Sequence, residues 1–164
     1  MKNNKGITLI ALVVTIIVLL ILAGISIAML TGENGILGNA SKSKSSNAYY
    51  GAEEQMKLCY MAVRTEIAAQ TVKNSSYDAT ANTNPTLLLN EVKKDLTIDG
   101  TSAGTMKTGW AASVSGSVIT LTYTDSAIDA GSIEEGTPSK PKTDGSVVGT
   151  ITLTTQGATF AFDV

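Results

Sequence analysis

Cys59 is the single thiol of the 164-residue chain, and there is no histidine. One thiol cannot close an intramolecular disulfide. Without imidazole, neither a Cys–His pair, a Ser-His-Asp triad nor a Cys/His metal cage can be built. No G-x-x-x-x-G-K-[ST] phosphate loop and no EF-hand calcium loop occurs either. The groups left for chemistry are carboxylates, and Asp125, Asp129, Glu134, Glu135 and Asp144 share one stretch from Asp125 to Ser146. Their spacing follows no cation-binding pattern, so a solvated, partner-facing loop fits them better than a metal site. Cys59 falls at the edge of an apolar helical stripe with no base beside it in sequence, which suits a small buried hydrophobe better than a nucleophile. These inventories point away from an enzyme and call for no cofactor and no metal.

The elements that carry these groups divide the chain in two. Nothing charged lies between Lys5 and Glu33. The apolar part, Ile7 to Thr31, spans roughly 38 Å as a helix at ~1.5 Å per residue, and a bilayer core is about 30 Å thick. Lys2, Lys5 and the amino terminus precede it, which places the N-terminus in the cytoplasm and the remainder outside. Thr8, Thr15 and Ser26 are tolerated there because a hydroxyl can bond back to a helix carbonyl. Beyond residue 32 the chain is rich in Thr, Ser, Ala, Gly and Asn, a composition suited to an extracellular surface. A chain beginning after Gly6 has ten bases to fourteen acids, which argues against non-specific nucleic-acid binding.

Three fates of the apolar segment compete. It is a secretory signal cut after Ser26-Ile27-Ala28, an uncleaved anchor, or a helix kept on the mature protein by a cut in front of it. The first needs an apolar region of only about 7–15 residues, shorter than the one here.

Lys5-Gly6-Ile7-Thr8-Leu9-Ile10, followed by an unbroken apolar helix, resembles the N-terminus of type IV prepilins and pseudopilins. The resemblance implies that a prepilin peptidase cuts between Gly6 and Ile7 on the cytoplasmic side and that the new amine of Ile7 is methylated. It assigns Thr8, Leu9, Ile10, Ala11 and Leu12 to the start of the assembly helix. Ile7 stands where Phe or Met is commoner. The family's glutamate at the fifth mature position, implied to pair with the amine of a neighbouring subunit, is replaced by Ala11. Its proline near position 22 is replaced by Ala28.

Gly32, Gly35 and Gly38 punctuate the exit from the apolar run, each weakening a helix by about 1 kcal/mol relative to Ala, so a joint is expected over 32–38. A helix is then expected over 39–72. Tyr49, Ala52, Met56, Cys59, Tyr60, Val63 and Ile67 recur at three- and four-residue steps on one face, with Glu53 and Lys57 as an i,i+4 pair on the exposed side. Tyr49-Tyr50 reads as packing. Asn74 to Pro85 reads as a polar loop and Leu87 to Leu96 as a short amphipathic helix.

From about 110 to 164 the period becomes two. Trp110, Ala112 and Val114 form one strand; Ile119, Leu121 and Tyr123 a second; Ile151 and Leu153 a third; Phe160, Phe162 and Val164 a fourth. Turns are expected at Ser115-Gly116 and Gln156-Gly157. Trp110, Leu121, Tyr123, Leu153 and Phe160 are the expected core of the sheet. The fold class is therefore α+β, an antiparallel sheet covering the apolar stripe of a long helix, which is also the pilin-like arrangement that the resemblance implies. Asn39 and Asn74 begin glycosylation-type triplets, a pattern frequent by chance.

The domain reading is a leader over 1–6, an apolar transmembrane and assembly helix over 7–31, a joint over 32–38 and an extracellular head over 39–164. The functional expectation that follows from the resemblance is a structural subunit of a type IV pilus-like filament. It would sit in the cytoplasmic membrane as a precursor and at the cell surface afterwards. Its partners would be other pilin subunits, the prepilin peptidase and the pilus assembly machinery, with DNA only through the assembled filament. A pseudopilin or minor subunit of a secretion or DNA-uptake assembly stays open, as does a non-polymerising secreted or membrane-anchored binding module.

Overall fold

In a proline-free run of Leu, Ile, Val and Ala, backbone amides can be satisfied without leaving the apolar segment only by a helix. Lys5–Thr31 forms one, α1. The computed structural model describes residues 5–32, 35–133 and 144–163, and the chain divides into two compact units, Met1–Ser43 and Lys44–Val164. Of the expected leader, residues 1–4 lie outside the described residues, as do Glu134, Glu135, Pro138, Pro141 and Val164.

The second helix, α2, runs from Ile36 to Lys73 and so starts inside the joint expected over 32–38. Its first backbone bonds explain this: Gly35 N–H donates to Gly32 O at 2.7 Å, and Asn39 N–H donates to Gly35 O at 2.9 Å. A Cβ on Gly35 would come within 2.7–2.8 Å of the carbonyl oxygens of Met29, Leu30 and Gly32. Only glycine allows so close an approach, whereas Gly38 is absorbed into α2.

In the second unit, α2 presents Tyr49, Ala52, Met56, Cys59, Val63 and Ile67 as a buried stripe, with Tyr60 half-buried at its edge. The helix α3 spans Asn84–Leu96, three residues longer at its start than expected, because Pro85 sits in its first turn, where a missing N–H costs nothing. Four strands follow: β1 Trp110–Ser115, β2 Val118–Thr124, β3 Ser146–Thr154 and β4 Gly157–Asp163. They form an antiparallel sheet in the order β1-β2-β3-β4. The two hairpin turns fall one residue away from the expected positions, at Gly116-Ser117 and Thr155-Gln156. The fold is α+β, with the sheet packed on α2 and α3 in one hydrophobic core.

Leu121 and Leu153 are buried as expected, while Trp110, Tyr123 and Phe160 are half-buried and pack against the core from its margin. The edge rings pair with one another: Trp110 with Tyr123 at 4.9 Å, Tyr60 with Phe160 at 5.6 Å, and Phe160 with Phe162 at 4.8 Å between centroids. Gly149 on β3 is what lets α2 come close. A Cβ there would lie 2.9 Å from Met56 Sδ and 3.0 Å from the Phe160 ring. Tyr60 then ties α2 to the edge strand by donating its hydroxyl to Ala158 O at 3.2 Å.

One surface expectation is corrected. Glu53 and Lys57 do pair, but Glu53 is 7% exposed rather than on the open side. Position 53 is one residue on from Ala52 of the buried stripe, so it flanks the sheet, and Lys57 reaches back to it while also lying 5.8 Å from the centre of the Phe162 ring.

Candidate functional site

The segment singled out by the sequence is the start of α1. Gly6, Ile7 and Thr8 belong to its helical backbone, and Leu9, Ile10, Ala11 and Leu12 follow as exposed residues. Positions 7 and 11 are one turn apart on the same side of the helix. From Leu9 to Leu30 every large apolar side chain is at least 45% exposed, and this holds around the whole circumference. A helix apolar on all sides is made for lipid or for the middle of a helix bundle, because no face of it is content in water. The helix is long and apolar enough to cross a membrane. Three of its hydroxyls are satisfied within the helix: Thr15 donates to Leu12 O at 2.8 Å, Ser26 to Leu22 O at 2.8 Å and Thr31 to Ile27 O at 2.9 Å.

Cys59 is fully buried, with Gln55 Nε2 at 4.0 Å from its sulfur. Burial pushes its pKa up to about 11, since a thiolate loses more than a thiol on leaving water. Its thiolate fraction at pH 8 is then roughly a hundredfold below that of an exposed cysteine. We expect maleimide to leave Cys59 unlabelled in the native protein at pH 8 and to label it fully in guanidinium chloride. Rapid native labelling would mean that the sulfur is accessible.

The described parts of the acidic stretch, 125–133 and 144–146, are more structured than a solvated loop. Ile128 and Ile133 are buried around a short 3-10 turn, Ala130–Ser132. Asp129 holds that turn by accepting from Ser132 Oγ at 2.8 Å and Gly131 N–H at 3.0 Å, bonds that keep its carboxyl below the usual carboxylate range. The buried hydroxyl of Ser45 on α2 takes the Asp129 N–H at 2.8 Å, pinning the loop to the helix. Asp125 and Asp144 likewise cap local backbone: Asp125 accepts from Ala127 N–H at 2.8 Å and Asp144 from Ser146 N–H at 3.0 Å. Among the described residues no group of three or more His, Cys, Asp or Glu could hold a metal ion. The spacing of these aspartates, each two residues before the amide it caps, was readable as Asx-turn chemistry in the sequence.

No protein-family model matches the chain, and no curated protein or solved structure proved similar to it.

Proposed function

We propose that this chain is a structural subunit of a type IV pilus-like extracellular filament, held in the membrane by α1 as a precursor and joined to its neighbours through α1 after assembly. The observation that carries the reading is α1 itself: a helix that opens with Lys5-Gly6-Ile7-Thr8-Leu9-Ile10 and whose large apolar side chains are exposed on every side from Leu9 onward. An ordinary anchor explains the helix but not the Gly6-Ile7 junction in front of it. The helix-on-sheet head supports the same reading, because it supplies a body held by one hydrophobic core in a chain whose single cysteine closes no intramolecular disulfide. Prepilin peptidase, the assembly machinery and other subunits are the partners this role requires; DNA would be met only by the finished filament.

A second reading, a pseudopilin or minor subunit that joins a filament of other subunits, is favoured by Ala11, where no carboxylate is present to meet a neighbour's amine.

The mature N-terminus separates the possibilities. Intact mass and N-terminal sequencing of protein from the native membrane and from the shed surface fraction should give Ile7, N-methylated. A start at Met29 would mean an ordinary secretory signal, and a start at Met1 an uncleaved anchor; either overturns the filament reading.

A further inference from the structure

The C-terminal half of α2 and one face of α3 leave between them a cleft of about 400 Å³, within the usual range of roughly 300–1,000 Å³ for small-molecule sites. Its walls follow helical spacing. Glu66 and Gln70 lie one turn apart on α2, Asn90 and Lys94 one turn apart on α3, and Tyr77 comes from the segment between the helices.

The charged groups are paired. Gln70 Nε2 donates to Glu66 Oε1 at 2.6 Å, and Lys94 Nζ donates to both oxygens of Glu91 at 2.6 and 2.8 Å. Lys94 therefore neutralises Glu91, while Glu66 is met by a neutral amide and leaves the cleft one net negative charge. That charge disfavours anions.

Other polar groups are unused. The side chains of Tyr77, Asn90 and Ser102 line the cleft and make no hydrogen bond among the described residues, although all three are half-buried. Burial, with the Glu66 and Asp78 carboxylates nearby, raises the Tyr77 pKa, so its hydroxyl remains a donor. Leu87, 55% exposed at the rim, and the ring of Tyr77 add apolar surface beside these groups.

This combination selects a ligand chemistry. An apolar ligand would strip water from Asn90 and Glu66 and return nothing. A small cation would use Glu66 alone and would face Lys94. A sugar answers every feature: its hydroxyls both donate and accept, so they can serve an amide, a carboxylate and a phenol together, and its C–H face suits Tyr77 and Leu87. We propose that this cleft binds a neutral saccharide of one or two rings, with Asn90 and Glu66 hydrogen-bonded to its hydroxyls and Tyr77 against its ring. The proposal stands on the cleft alone and holds whether or not the chain forms filaments.

The test uses full-length protein in phosphatidylcholine nanodiscs, free of sugar-headed detergents. Glucose, galactose, N-acetylglucosamine, lactose and cellobiose are titrated by saturation-transfer NMR and calorimetry, with spermidine and inorganic phosphate as ionic comparators. At least one saccharide should bind saturably with Kd of about 1 mM or tighter, an ordinary strength for a small open site. Asn90→Leu should weaken that binding at least about tenfold while the melting temperature and far-UV circular dichroism stay at the parental values. Asn90→Ala, which adds no bulk, should show the same loss. Saturable binding of no sugar overturns the proposal. So does affinity unchanged by both Asn90 variants, or spermidine bound more tightly than every sugar.

Discussion

On the proposed prepilin reading, replacing Gly6 with valine is expected to hold the whole population in the membrane as one unprocessed species, heavier than the mature protein by its six leader residues. A peptidase that cuts at the membrane face must bring its catalytic groups against backbone, and glycine is the residue that leaves backbone bare. Valine puts two methyls on Cβ at the bond to be cut and stiffens the chain there. Mass spectrometry of the membrane fraction reads the outcome directly, and sheared surface material should lack the protein altogether. Normal processing of Gly6→Val to an Ile7 terminus would falsify the assignment of the cleavage site.

Why so much of the fold could be read from the chain, and why part could not, comes down to which interactions are periodic. The α2 stripe is set by three- and four-residue steps, and Tyr49, Met56, Cys59, Val63 and Ile67 are all buried along it. The strands are set by alternation, and the register pairs Leu121 with Gly149 and Ile151 with Phe160 on one side of the sheet. Periodicity reports the face of an element, but not how far a flanking residue is overhung. Glu53 shows this: i,i+4 arithmetic finds Lys57, yet only the position of the sheet makes the carboxylate buried. The loop after β2 shows the same limit from another direction. Its contact between Ser45 and Asp129 joins residues 84 apart in sequence, and no local pattern announces it. Of the candidate assembly residues, the helical placement of Gly6 to Leu12 was legible because an apolar run has no other backbone solution. The α2–α3 cleft was not, since Glu66, Gln70, Asn90 and Lys94 look like ordinary solvated positions until two helices are set beside each other.

On the proposed filament reading, Ala11→Glu is expected to raise the amount of this chain incorporated into filaments. If Ile7 is the mature N-terminus, its amine bears a positive charge at the start of a helix whose macrodipole is already positive there, so the two add. When helices bundle, that charge leaves the aqueous interface. Even on the lenient membrane-insertion scale, an unpaired side-chain charge in the bilayer centre costs about 2.5–3.5 kcal/mol. Ala11 offers nothing to offset it, and the polar side chains described along α1 (Thr15, Ser26 and Thr31) are committed to their own helix carbonyls. A carboxylate at position 11 sits one turn from residue 7 and projects from the same side, where it can meet its own amine or that of a neighbouring subunit. Recovering about 1.4 kcal/mol would shift an incorporation equilibrium roughly tenfold. The measurement is the filament-associated fraction after shearing, with Ala11→Glu expressed alongside the native partners and Ala11→Gln as the neutral comparator. Charge pairing predicts a rise with glutamate and none with glutamine, because glutamine brings the bulk and hydrogen-bonding capacity without the charge. If glutamate instead causes a sharp loss while glutamine is tolerated, position 11 lies among tightly packed apolar neighbours or lipid, and the amine is neutralised by some other group. If both substitutions cause the loss, packing at Ala11 excludes any longer side chain, and a small residue there is part of how the helices of this subunit approach one another.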